Sequence, residues 1–183
     1  MKIIAATIAM LGIAIPASAQ CTGDEVIRQQ IAAQYQRIET LNKNKDAAGL
    51  IAMRVSDCSA TNPGGSHSSC ADMANYSKQL IGALGTVVTA TSDITVLKLQ
   101  GDSATVTVAQ HFVRTQSMAG QLRNIDTSAV QDETWVKTPE GWKFQSVANI
   151  HARHWYVDGK RVDPNKPFDP DAAPYNLPIT ADE

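Results

Sequence analysis

The sequence predicts an α+β fold in which three helices precede an antiparallel sheet, and two observations carry this prediction. Apolar residues in the first half recur at steps of three and four, which is the spacing of one helix face. From residue 86 onward the chain becomes rich in Val, Thr and Ile and alternates apolar with polar residues, as strands do. Because short turns separate four such stretches, the strands should pair antiparallel.

Each predicted helix begins with a recognisable signal. Thr22 and Glu25 have the spacing of a capping box, which stabilises the first turn of a helix. The first helix then carries its apolar residues on one face: Ile27, Ile31, Tyr35, Ile38 and Leu41. Asp46 is expected to cap a short second helix. After the turn at 62–65, the third helix carries Met73, Tyr76, Leu80 and Leu84.

Four long strands follow the helices. The pattern places them at about 86–99, 103–114, 124–138 and 142–156. Gly101-Asp102 and Pro139-Glu140-Gly141 supply two of the turns. The sequence therefore predicts a single sheet of sequential hairpins.

The first nineteen residues have the composition of a secretory signal peptide. Lys2 precedes an apolar stretch, Pro16 interrupts it, and Ala17-Ser18-Ala19 forms a small-x-small cleavage site. The stretch is shorter than the roughly 20 residues that cross a bilayer. Gln20 precedes Cys21, which argues against lipidation. We expect a secreted or periplasmic protein that has no membrane contact once residues 1–19 are removed.

The remaining chain divides into one domain and a tail. Residues 20–156 are enough for one domain with its own core. Residues 157–183 contain five of the eight prolines together with several aspartates, which is typical of an extended, solvated tail. The whole chain has 16 basic and 18 acidic residues without a basic block, so nucleic acid is not an expected partner.

The three cysteines are interpreted in the light of export. Cys58 and Cys70 flank a loop of small residues, and a disulfide between them is the simplest pairing in an oxidising compartment. Pairing of Cys21 with either one, or three free thiols, are the alternatives. No metal site is predicted from the cysteines, because they lack the spacing of zinc ligands.

Two stretches resemble nuclear-transport-factor-2-like domains. One is NKDAAGLIAM followed by RVSDCSATNPGG, and the other is DETWVKTPEGWKF followed by a strand that ends in YVDGKRV. The combination is similar to secreted members of that superfamily near its SnoaL-like and ketosteroid-isomerase-like branches. The resemblance implies a cone-like, cystatin-like roll, with the three helices in the concave face of a curved sheet and a pocket between them.

The resemblance also implies which residues face the pocket. Registering the strands on the family pattern gives a ligand-binding set from the strands, the helices and, for Asn62, the loop: Tyr35, Ile38, Asn62, Tyr76, Thr107, Ala109, Trp135, Ala148, Ile150 and His154. A slip of one residue would reverse any strand in this assignment.

His111 and Glu133 are the candidate catalytic pair. A histidine oriented by a carboxylate can act as a general base, and neighbouring strands could bring these two together. The ketosteroid-isomerase constellation itself is mostly absent, because Asn62 replaces its carboxylate base and Ile38 its helix tyrosine. The alternative is that His111 and Glu133 are structural.

No cofactor or metal is predicted. His151 and His154 form H-x-x-H, but on a strand they would point to opposite faces.

Three functions remain open. The first is a protein that binds a small, mostly apolar molecule without chemistry of its own. The second is a cofactor-independent lyase or isomerase that uses His111 and Glu133. The third is an interaction module that forms a homodimer.

Overall fold

Helix boundaries are set by side chains that cap the first turn. The computed structural model describes residues 23–63 and 65–163, without the side chains of residues 152 and 153. Its helices are α1 (Gly23–Lys43), α2 (Ala47–Ala52) and α3 (Cys70–Ala83). Asp46 caps α2, as predicted, and accepts a hydrogen bond from Gly49 N at 2.8 Å. Ser69 and Asp72 form a capping box at α3 that the sequence analysis missed.

Seven strands in the described residues form one curved, mostly antiparallel sheet. They are β1 (Arg54–Thr61), β2 (His67–Ser69), β3 (Leu84–Gln100), β4 (Ser103–Met118), β5 (Gln121–Thr138), β6 (Gly141–Val157) and β7 (Lys160–Arg161). Their order is β2-β1-β6-β5-β4-β3, with β7 also beside β6. β1 runs parallel to β6, and the other pairs are antiparallel. The predicted α+β class is confirmed, and four of these strands are those the sequence predicts.

The helices cover one face of this sheet, which we call the inner face. Its centre is a cluster of buried residues from α1, the end of α2 and strands β4 to β6: Ile31, Tyr35, Met53, Ala104, Val106, Val108, Trp135 and Trp142. Trp142 also donates a hydrogen bond from Nε1 to Gln30 of α1 at 3.0 Å. The strand register then shows on which face of the sheet each of the other strand residues lies. On β4 and β5, side chains at even distances along the strand from Val106 and from Trp135 face the helices, and those at odd distances lie on the outer face.

Two short strands lie where the sequence predicts irregular structure. β2 occupies part of the predicted loop after residue 65, and pairs with β1. β7 lies within the predicted tail and forms a hairpin with β6 through Asp158 and Gly159, both at positive φ. Asp-Gly is the dipeptide that a two-residue hairpin favours, so this turn was visible in the sequence.

The disulfide between Cys58 and Cys70 is present. It links β1 to the first residue of α3 across twelve residues, with the two Cα atoms 4.7 Å apart. Cys58 is buried. The bond therefore fixes α3 against the sheet on the side where it borders the cavities described below.

Several sequence predictions fall outside the described residues. These are the signal peptide at 1–19, Cys21, and the tail from residue 164 onward. Among the helices that the structure describes, none has the length and hydropathy needed to cross a bilayer.

Removing the disulfide should lower the free energy of unfolding. A closed loop of this size stabilises by about 3 kcal/mol on the chain-entropy account. We expect Cys58→Ser/Cys70→Ser to unfold at lower urea concentration, with a loss of about 2 to 4 kcal/mol. Cys21→Ser is the matched control and should unfold like the parent. A double variant as stable as the parent would contradict this role.

Candidate functional site

A buried carboxylate, Glu133, lies at the centre of the inner face. Its side chain is 4% exposed and accepts hydrogen bonds from four donors. Tyr35 Oη donates to Oε2 at 2.7 Å, and Trp135 Nε1 lies 3.2 Å from the same oxygen. Gln131 Nε2 and Gln110 Nε2 donate to Oε1 at 2.6 and 3.3 Å. Each carboxylate oxygen therefore has two donors, which fills its acceptor capacity.

Burial dominates the electrostatics of this group. It raises the pKa of Glu133 above its ordinary value, although the hydrogen bonds from Tyr35, Gln131 and Trp135 act in the opposite direction. The pKa of Tyr35 is raised as well, first by burial and then by the neighbouring charge of Glu133. The phenol therefore stays protonated and serves as a hydrogen-bond donor.

A cavity of about 150 Å³ adjoins this carboxylate, and we call it the Glu133 cavity. Its remaining walls come from α1, α2, α3 and the ends of β1 and β6. Five of the seven lining residues are apolar: Ile38, Leu50, Met53, Met73 and Phe144. The two polar ones are Glu133 and Arg54.

A second cavity of about 320 Å³ adjoins the first, and we call it the Tyr76 cavity. Arg54 and Met73 line both, so these side chains form the boundary between them. Its other walls include Val147 and Ile150 of β6 and the exposed ring of Tyr76.

Arg54 is incompletely paired at this boundary. Its Nη2 donates to Ser77 Oγ of α3 at 2.8 Å. Its Nη1 is buried and has no hydrogen-bond partner among the described residues. Burial lowers the pKa of Arg54 from its ordinary value, which reflects the unfavourable desolvation of the charge. A half-buried guanidinium whose Nη1 has no partner among the described residues is unfavourable, so this arrangement favours an anionic acceptor from outside the chain.

Six of the ten predicted ligand-binding residues lie on the inner side. Tyr35 and Trp135 belong to the Glu133 network, and Ile38 lines the Glu133 cavity. Asn62, Tyr76 and Ile150 line the Tyr76 cavity.

The others lie on the outer face, and their predicted placement was wrong. Thr107 bonds to Asp132 at 2.7 Å, Ala109 pairs with Val130, and Ala148 pairs with Asp132. The predicted pairing of His111 with Glu133 is also wrong. Val106, not His111, is opposite Glu133, and the imidazole contacts Asp126 on the outer face.

The physical cause is a change of register that alternation alone does not reveal. On β4 the assignment was one residue out of phase, so every side chain was reversed. On β6 the pairing with β5 shifts three times, beside Gln145, beside Asn149 and beside residue 153. Asn149 has φ of 52°, a conformation that asparagine tolerates better than most residues. These bulges place Ala148 outward and Ile150 inward, although both have even numbers.

The bulges also change the geometry of H-x-x-H. His151 pairs with Val130 and His154 with Ser128, so both lie on the outer face rather than on opposite faces. His154 Nε2 and His111 Nε2 each lie 2.9 Å from Asp126 Oδ1. Partial burial raises the pKa of Asp126, but the hydrogen bonds to both imidazoles outweigh it and the net shift is downward.

Sequence reasoning missed Arg54. Its only signal is a cation at the start of a strand that follows an apolar helix. Surface arginines give the same signal, and only the cavity boundary distinguishes this one.

Comparison with solved structures identifies the architecture. The protein Kfla4162 from Kribbella flavida superposes with a TM-score of 0.60 at 16% identity, covering 72% of this chain and 94% of that one. A nuclear-transport-factor-2-like protein from Salmonella enterica gives 0.51 at 18% identity, covering 78% and 98%. This chain has the nuclear-transport-factor-2-like fold. A proposed dehydratase of that family from Streptomyces avermitilis gives 0.57 at 14% identity, covering 68% and 95%.

Sequence comparison adds no closer relative. No family model matches the chain, and no curated protein matches it. The three solved structures named above are each less than 20% identical to this chain, so the similarity describes the fold.

The raised pKa of Glu133 predicts a pH dependence of stability. The folded protein keeps this proton at pH values where the unfolded chain has lost it. Stability therefore falls as the pH rises from the ordinary glutamate pKa of about 4.3 towards the raised value. Glu133→Gln has no ionisable group at this position, so the parent should lose stability relative to the variant as the pH rises above about 4.3, as measured by urea unfolding.

Glu140→Gln is the control for that experiment. The pKa of Glu140 is lowered, mainly by its hydrogen bond with Thr138. Both folded and unfolded chains ionise this group above about pH 5. The difference between parent and Glu140→Gln should be flat there. A flat difference for Glu133→Gln as well would contradict the assignment.

Proposed function

We propose that this protein is an exported binding protein for a small carboxylic acid, which it holds in the cavities between the helices and the inner face. Arg54 carries the proposal, because its buried Nη1 lacks a partner at the boundary of two cavities. The signal-peptide pattern and the Cys58–Cys70 disulfide support export.

The Glu133 cavity limits the size of the ligand. A dry apolar cavity of about 150 Å³ accommodates a molecule of the size of benzene. The apolar body is therefore a single aromatic ring or an acyl chain of about six carbons. Leu50, Met53 and Phe144 contribute apolar walls that suit such a body. The adjoining Tyr76 cavity leaves room for a longer or substituted acid.

Arg54 sets the polarity of the ligand. A guanidinium and a carboxylate match in geometry and form charge-assisted hydrogen bonds. The bond from Nη2 to Ser77 restricts the guanidinium and leaves Nη1 for the acid. The acid group would lie at the boundary between the two cavities, with its apolar part beside Ile38.

The Glu133 network favours binding over chemistry. A general base needs a lone pair directed at the substrate, and both Glu133 oxygens already accept from protein donors. The lyase or isomerase hypothesis loses its second group as well, because His111 lies on the other face. A homodimer remains a prediction from the sequence.

Ligand titration with matched acids and amides tests the proposal. We expect benzoate, phenylacetate and hexanoate to bind the ligand-free protein more tightly than benzamide, phenylacetamide and hexanamide. Arg54→Gln should weaken acid binding about 10- to 100-fold, as expected for a charge-assisted hydrogen bond. It should leave amide binding nearly unchanged. Isothermal titration calorimetry measures both.

Arg123→Gln is the matched control. It also removes one arginine, whose partner Asp158 lies away from the cavities. Acid binding should be preserved in this variant. Equal affinity for acids and amides, or equal loss in both arginine variants, would overturn the proposal.

A further inference from the structure

Three side chains with metal-binding atoms converge on the outer face. His111 of β4, Asp126 of β5 and His154 of β6 come from adjacent strands. Register explains their meeting, because Ser128 pairs with both histidines, and Asp126 lies two residues before it on the same face. One ligand atom from each residue lies within 4.8 Å of the other two.

We propose that His111, Asp126 and His154 bind one divalent first-row transition-metal ion, such as Zn²⁺. Two imidazoles and one carboxylate form a donor set that suits Zn²⁺ and its neighbours and leaves positions for water or another ligand. The sequence analysis predicted no metal, because it placed His111 on the inner face and considered only His151 with His154.

The distances are close to those that a metal requires. Tetrahedral ligands at about 2.0–2.1 Å from Zn²⁺ lie about 3.3 Å from one another. Both imidazole Nε2 atoms are 2.9 Å from Asp126 Oδ1, so an outward movement of a few tenths of an ångström would admit the ion. All three side chains are partly exposed, at 44%, 44% and 27%, which leaves the site accessible from solvent.

A neighbouring hydroxyl orients one of the ligands. Ser128 Oγ lies 2.9 Å from Nδ1 of His154, the ring nitrogen opposite the one that faces Asp126. Metal-ligating histidines commonly use the second nitrogen in this way, which fixes the ring and the tautomer. The ring of Tyr156 contacts His154 edge-on at 5.4 Å and further restricts it.

The competing explanation is a hydrogen-bond network without metal. In that case both Nε2 atoms carry protons and donate to Asp126, and Ser128 donates to Nδ1 of His154. With a metal, Nε2 is deprotonated and Ser128 accepts instead. The serine hydroxyl serves either arrangement, so metal binding itself distinguishes them.

Titration of the untagged, chelator-treated protein with Zn²⁺ alone tests the proposal. We expect one ion per chain by calorimetry, and an increase in melting temperature that grows with Zn²⁺ concentration. Co²⁺ should give the visible absorption of a site with nitrogen and oxygen ligands. His154→Ala and His111→Ala should each abolish both signals, and Asp126→Asn should weaken binding at least tenfold.

Two further variants separate the site from ordinary histidine chemistry. Ser128→Ala should weaken Zn²⁺ binding about 10-fold, as loss of a group that orients a ligand does. His151→Ala, three residues from His154 on the same strand and face, should bind like the parent. Because the ligand side chains are partly exposed, their substitution should disturb the fold little. Urea unfolding of each variant checks this.

Either of two results would overturn the proposal. One is a parent protein that does not bind Zn²⁺ or Co²⁺. The other is unchanged binding in His154→Ala together with loss in His151→Ala. The carboxylic-acid experiments involve the opposite face of the sheet, so their outcome is separate from this one.

Discussion

The inner half of this protein depends on how one carboxylate, Glu133, is kept in an apolar interior. Removing it from water is unfavourable, and the structure offsets this with donors from α1, β4 and β5. Tyr35 and Gln110 thereby connect a helix and a neighbouring strand to the same group. Because half-satisfied polar networks are costly, these elements have little freedom to move independently. Because Glu133 lines the Glu133 cavity, this network also holds one wall of the cavity in place.

Much of the fold could be predicted because its signals are local. Asp46 caps a helix, and turn residues separate the strands. After α3 the spacing of apolar residues changes from every three or four to every second residue, so each element follows from its own sequence. Strand register depends on non-local pairing and on bulges such as the one at Asn149. Sequence reasoning placed Glu133, Trp135 and Ile150 on the correct face. It placed His111 and Thr107 on the wrong face, because the register of β4 cannot be read from its own sequence.

The corrected register gives the two faces different chemistry. On the inner face the carboxylate of Glu133, which accepts from four donors, adjoins apolar walls and an incompletely paired cation, Arg54. On the outer face the histidine expected to act as a base meets Asp126 and His154. A shift of one residue in phase thus separates the predicted acid–base pair: Glu133 lies on the inner face, and His111 lies on the outer face with Asp126 and His154.

Arg54 carries the central claim, because under the proposed function its charge binds the ligand at the expense of stability. The most direct test is the free energy of unfolding of ligand-free Arg54→Met, which keeps the length of the side chain and removes its charge. The account predicts a gain of about 1 kcal/mol, because an incompletely paired, half-buried cation is replaced by an apolar group. A loss of about 2 kcal/mol or more would contradict it, and would make Arg54 a structural residue that joins α3 to β1.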